Sequence, residues 1–154
     1  MRRLASALYS VLVAVWVGGM LAIGFIAAPV LFTQLADRGA AGALAGAMFS
    51  VMALVGLGCG AYLLLFVLFG RGWRALQSGV FWLVLLMLAL TLAGHFGVQP
   101  ILLQLQADAL PRRVMESALR DRFATWHGVS TALYLLQSAL GVALVILQDR
   151  GKAR

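Results

Sequence analysis

The chain has 154 residues, of which 63% are hydrophobic and only 11% charged, with a formal net charge of +7. A length of this order accommodates one domain, and soluble domains carry about 25% charged residues, so a soluble globular protein, which could not bury this much apolar surface, is excluded. The basic residues stand at the ends of apolar runs rather than in a stripe with stacking aromatics, which assigns them to lipid headgroups and membrane orientation and not to nucleic acid.

The first apolar run starts behind Arg2 and Arg3 and continues to Ala36 without a charge. Met-Arg-Arg before an apolar stretch, with Ala27-Ala28-Pro29 downstream, has the outline of a signal peptide. Signal cores are about 7–15 residues long, however, and this run is far longer, so a retained first span over about 5–33 is expected. Further charge-free runs predict a second span near 44–70, a third near 77–99 and a fourth near 123–148. Each exceeds the roughly 20 residues that carry a helix across a ~30 Å hydrocarbon core. None shows the alternating polarity of a membrane strand. The fold class is therefore an all-α integral membrane four-helix bundle with up-down topology, a single domain over residues 1–154.

Orientation follows from the arginines and lysines. Arg2, Arg3, Arg71, Arg74, Arg150, Lys152 and Arg154 fall on the side of the termini, against Arg38, Arg112, Arg113, Arg120 and Arg122 on the other. The excess places both termini in the cytoplasm, and helical spans point to the inner (cell) membrane. Trp73 and Trp82 suit an aromatic belt at the inner interface.

Small residues mark the packing faces. Gly18, Gly19 and Gly24 punctuate the first span, while Gly42/Gly46 and Gly56/Gly60 form two GxxxG pairs in the second. Such pairs let helix backbones approach closely, inside a bundle or between copies of a chain. Packing within the chain is the first expectation, and a homo-oligomer through the glycine faces the second. The single cysteine, Cys59, lies among glycines and excludes an intrachain disulfide.

Between the third and fourth spans, Pro111 suits the first turn of a new helix. Val114, Met115, Ala118 and Leu119 then fall on one face, with Arg112, Arg113, Glu116 and Arg120 on the other. A short amphipathic helix over about 108–122, lying on the outer surface as a connector, is expected.

Polar residues inside spans are informative because each needs a partner in a medium without water. Apart from tyrosines and Cys59, the ionisable candidates are His95 and His127, which the topology sets at similar depth near the outer face. His95 shares a helix face with Thr91 and Gln99; His127 shares one with Ser130, Thr131, Tyr134 and Ser138. Pro29, Thr33 and Gln34 end the first span at the same level, and Met48, Phe49 and Ser50 begin the second, with Met52 nearby. A polar pocket opening outward, lined by His127, His95, Trp126, Ser130, Thr131, Tyr134, Thr91, Gln99 and Pro29, follows. Three uses of the histidines stay open. They could ligate haem b or a copper ion assisted by methionine, contact a small ligand or proton, or hydrogen-bond across helices with no ligand. Enzyme chemistry is poorly supported, since no carboxylate lies within a span and no acid orients a nucleophile–histidine pair.

Phe123, Trp126, His127 and Ser130 match an F-x-x-(W/Y)-H-x-x-S signature, and with Trp16-Val17-Gly18-Gly19, Ala28-Pro29-Val30-Leu31-Phe32 and Gln99-Pro100 the chain resembles the transmembrane protein 205-like family over about residues 8–145. That resemblance implies a four-helix membrane protein whose bacterial members carry a domain of unknown function, and whose animal relative is associated with resistance to platinum drugs. More distantly it implies kinship with copper-resistance membrane proteins and their haem-binding relatives. It carries over to Pro29, Pro100, Trp126, His127 and Ser130. Two departures stand out: Tyr134 occupies the place of an asparagine in animal members, and His95 matches no histidine of the family pattern.

Overall fold

The computed structural model describes residues 2–109, 115 and 118–150. Every regular element among them is helical: α1 (Arg2–Ala22), α2 (Ala28–Gln34), α3 (Arg38–Arg71), α4 (Gly79–Leu92), α5 (Gln99–Asp108) and α6 (Arg120–Arg150). Two π-helical turns, Ile23–Ala27 and Ala93–Val98, join α1 to α2 and α4 to α5. Four helical rods result, Arg3–Gln34, Arg38–Gln77, Gly79–Asp108 and Arg120–Gln148, each long and apolar enough to cross a bilayer. Most of the amphipathic segment expected over 108–122 lies outside the described residues.

Both π turns have the same cause. Proline offers no N–H, and its ring collides with the carbonyl four residues earlier, here that of Phe25 ahead of Pro29 and Phe96 ahead of Pro100. The last amide before each proline instead reaches back five residues: Ala28 donates to Ile23 and Gln99 to Gly94. The wider turn clears the ring and lets the helix continue. The third rod accordingly runs through Pro100 to Asp108. Turns of this kind concentrate at functional sites.

The connection between the first two rods is short. Asp37 stands at the N-cap of α3, its Oδ1 accepting from the Gly39 amide at 2.8 Å. Asp37→Ala should lower stability by ~1 kcal/mol, in line with other lost N-caps, as read from the SDS-unfolding midpoint in mixed micelles. At the other end α3 stops at Gly72, whose φ of 54° favours glycine, and a 3-10 turn over Gly72–Gln77 leads into α4. Trp82 Nε1 donates to the Leu76 carbonyl at 2.8 Å and fixes this corner.

The largest fully buried apolar side chains cluster in one half of the bundle. Val13, Trp16, Cys59, Leu63, Val84, Met87 and Leu144 are buried against one another, and all lie on the side of the midplane that carries the termini. Trp16 is wedged over two glycines of α3: a Cβ at Gly60 would meet Leu88 Cδ2 at 2.5 Å and Trp16 Cη2 at 2.9 Å, and one at Gly56 would run into the Trp16 indole. Gly56/Gly60 is thus an intrachain packing pair. Gly42 and Gly46 are different, since a Cβ at Gly46 meets nothing within 4 Å and one at Gly42 only Phe32 at 3.9 Å.

Candidate functional site

Thr91, Tyr134, Gln137 and Ser138 lie near the middle of their rods, and His95, Gln99 and His127 towards the end away from the termini. His95 sits within the second π turn, half-buried, with Phe96 edge-on at 4.7 Å. Its Nδ1 lies 2.7 Å from Gln99 Oε1. An amide oxygen only accepts, so Nδ1 donates, and in the neutral ring the lone pair falls on Nε2. One turn deeper, Thr91 donates to the Met87 carbonyl at 2.8 Å and accepts from Gln137 Nε2 at 3.1 Å. This hydrogen bond ties the third rod to the fourth near the middle of both.

The fourth rod meets the first through Tyr134. Its hydroxyl donates to the Met20 carbonyl, 114 positions away in sequence, and its ring lies where a side chain at Gly24 would be. Phe49 packs edge-on against the same ring at 5.1 Å and Phe25 tilts beside it at 6.5 Å. Gly24 belongs to the first π turn, so the second π turn carries the His95–Gln99 contact and the first receives the Tyr134 ring, whose hydroxyl bonds Met20 in α1 just before it.

His127 is placed differently. It is exposed, stacked on Phe123 at 5.8 Å with 12° between the rings. Its carbonyl accepts from Thr131, also exposed, at 2.9 Å. Trp126 and Ser130 are half-buried on the inner flank of the same helix, and Pro29 is exposed. The hydrogen-bond and ring partners of the two imidazoles are therefore different residues. No cluster of three or more His, Cys, Asp or Glu side chains able to hold a metal ion occurs among the described residues.

Gln137 completes the polar set, and a sequence search keyed to ionisable groups passes over it. Its signal was available, namely an amide in mid-span, where hydrocarbon provides no partner. It is 7% exposed and its neighbour Ser138 is 5% exposed. Beyond them, at the rim between α5 and α6, a cleft of about 130 Å³ is lined by Ile101, Gln104, Leu105, Asp108 and Arg122.

Four helical rods, each long and apolar enough to cross a bilayer, define a multi-pass membrane protein. The chain belongs to the family of the domain of unknown function DUF4149, which matches residues 11–111. The matched stretch includes Pro29, Thr91, His95, Gln99 and Pro100 and ends before α6. No curated protein and no solved structure matches the chain.

Proposed function

We propose that this protein is a non-enzymatic inner-membrane protein that binds or passes a small ligand, or holds a partner, through the polar stripe around His127 and His95. The observation that carries the reading is the asymmetry of the bundle. The buried apolar cluster fills the terminal half, while His95–Gln99, Thr91–Gln137 and Tyr134–Met20 line the middle and the far half. In the terminal half Tyr62 donates to the Ala5 carbonyl near the membrane surface, whereas these pairs lie deeper in the spans, where hydrocarbon offers no alternative partner. The excess of arginine and lysine beside the termini turns that far half outward, away from the cytoplasm. The likeness of Phe123 to Ser130 to the transmembrane protein 205-like signature supports the same site.

A thermal-shift screen of small polar solutes on the detergent-purified protein tests this. A solute that raises Tm of the wild type but not of His127→Ala or His95→Ala supports the reading. Equal shifts in all three proteins move the site elsewhere.

One observation favours a second use of the same residues. Gln99 holds Nδ1 of His95 and presents Nε2 as a free lone pair, the arrangement by which an outer-shell acceptor orients a ligating imidazole. Haem or a metal would then use His95 and His127. A reduced-minus-oxidised spectrum with a sharp α-band, lost in both His95→Ala and His127→Ala, would replace the ligand-binding reading with a redox one.

A further inference from the structure

Three buried side-chain oxygens among the described residues have no hydrogen-bond partner: Gln137 Oε1, Ser138 Oγ and Gln148 Oε1. Gln148 is near the end of α6, within reach of the headgroup region. The other two are consecutive residues in the middle of a 31-residue helix, at least about 18 Å from either end at 1.5 Å per residue. An unsatisfied buried acceptor costs ~1–3 kcal/mol, and hydrocarbon offers nothing to relieve it.

The orientation of the Gln137 amide is fixed by its neighbour. Thr91 has a single hydroxyl hydrogen, which it gives to the Met87 carbonyl, so it can only accept from Gln137, and the amide turns its NH₂ to Thr91. Rotating the amide would bring two acceptors together without a hydrogen between them. Oε1 is therefore the atom left over. Ser138 also departs from its neighbours: Thr91, Thr125 and Thr131 each return their hydroxyl to the carbonyl four residues back, and Ser138 does not.

The donor inventory then selects the chemistry. The hydroxyls of Thr91 and Tyr134 are committed to backbone carbonyls, and Gln137 gives an N–H to Thr91. What remains without a partner is the Gln137 amide oxygen, which only accepts, and the Ser138 hydroxyl, which can donate or accept, beside the second N–H of the Gln137 amide. An anion would face Oε1 as a second acceptor. A water molecule or an ammonium group supplies the missing hydrogen.

We infer that Gln137 and Ser138 form the closed inner end of the polar stripe, a site for a small hydrogen-bond donor, water or an amine, reached from the end of the bundle away from the termini. The inference rests on the ligand-binding reading of the stripe and names the class of ligand it takes.

Cys59 makes the test direct. It is the single cysteine and is buried in the terminal half at 5% exposure, so it serves as an internal unreactive thiol. Ser138→Cys is reconstituted in vesicles of known sidedness, treated with Ag⁺ and then alkylated after denaturation, with the alkylated thiols counted by mass spectrometry. The expected result is loss of one of the two thiols when Ag⁺ is added on the side away from the termini, none when it is added on the terminal side, and none in the wild type. Methylammonium chloride slows the blocking if the occupant is an amine and leaves it unchanged if it is water. An introduced thiol as resistant as Cys59, blocking from the terminal side alone, or equally fast blocking by the linear anion dicyanoaurate would each overturn the inference. Thr91→Cys, one turn along the neighbouring helix face, repeats the test should Ser138→Cys not fold. A dry site beside an intact histidine-dependent Tm shift sinks this inference alone; an accessible site with no such shift sinks the broader reading alone.

Discussion

Gly56→Leu should destabilise the bundle by about 3 kcal/mol or more, at the upper end of what overpacking a filled core costs. The position receives the indole of Trp16, which is 2% exposed. Trp16 cannot swing aside, because Cys59, Leu63, Val84 and Met87 close the same cluster. The SDS-unfolding midpoint in mixed micelles should fall accordingly, and the detergent-purified variant should lose monodispersity. Gly46→Leu is the matched control. A Cβ there meets nothing within 4 Å, so the same change should leave the isolated bundle within ~0.5 kcal/mol of wild type, as for surface positions. Equal losses at Gly46 and Gly56 would mean that both glycine pairs are packed inside the chain and that the contact with Trp16 is not what distinguishes them. A Gly46→Leu protein that is stable yet inactive in cells would assign that open face to a partner.

The contrast between the two pairs shows what a sequence of this kind discloses. Charge-free runs bounded by Arg3, Asp37, Arg71, Arg74, Asp108 and Arg122 disclose four spans, because a bilayer tolerates few charges and the length requirement is strict. A GxxxG pair discloses close approach but not its partner. Trp16 lies on another helix, and nothing local at Gly56 names it. The π turns are hidden for a related reason. Helix propensity treats proline as a breaker, so Pro100 leaves open whether Ile101 to Gln106 continues the helix or turns at the interface. In hydrocarbon, unravelling the backbone costs more than widening one turn, so the helix continues to Asp108. At the candidate site, spacing discloses neighbours on one helix, as for His95 and Gln99 four residues apart. It leaves contacts between helices unread, and Thr91–Gln137 and Tyr134–Met20 are both of that kind. Gln137 carries no charge and Met20 acts through its carbonyl, so neither belongs to a residue class that pattern-reading singles out.

The contact between Tyr134 and the first π turn makes the second large prediction, and it is one of coupling. Gly24→Val should cost ~2 kcal/mol, because the new side chain would occupy the space of the Tyr134 ring. Tyr134→Phe keeps the ring and loses only the hydroxyl that donates to the Met20 carbonyl. It should cost ~1 kcal/mol, since side-chain hydrogen bonds within membrane helices are worth modest amounts. Tyr134→Ala removes the obstacle, so the double variant Gly24→Val/Tyr134→Ala should be more stable than the two single losses sum to, with a coupling of ~1–2 kcal/mol, as for residues in direct contact. Additive losses would show that the phenol does not sit in the turn. The coupling matters for function because it helps set the register of the bundle. Pro29 opens the turn, Gly24 leaves the turn without a side chain, and the tyrosine that enters it helps fix the height of α6 against the first rod. Gln137 and Ser138 follow Tyr134 by three and four residues on the same helix, so the fit of this side chain into the widened turn sets their depth together with Gly141 against Met20 and Val17 and Gln137 against Thr91.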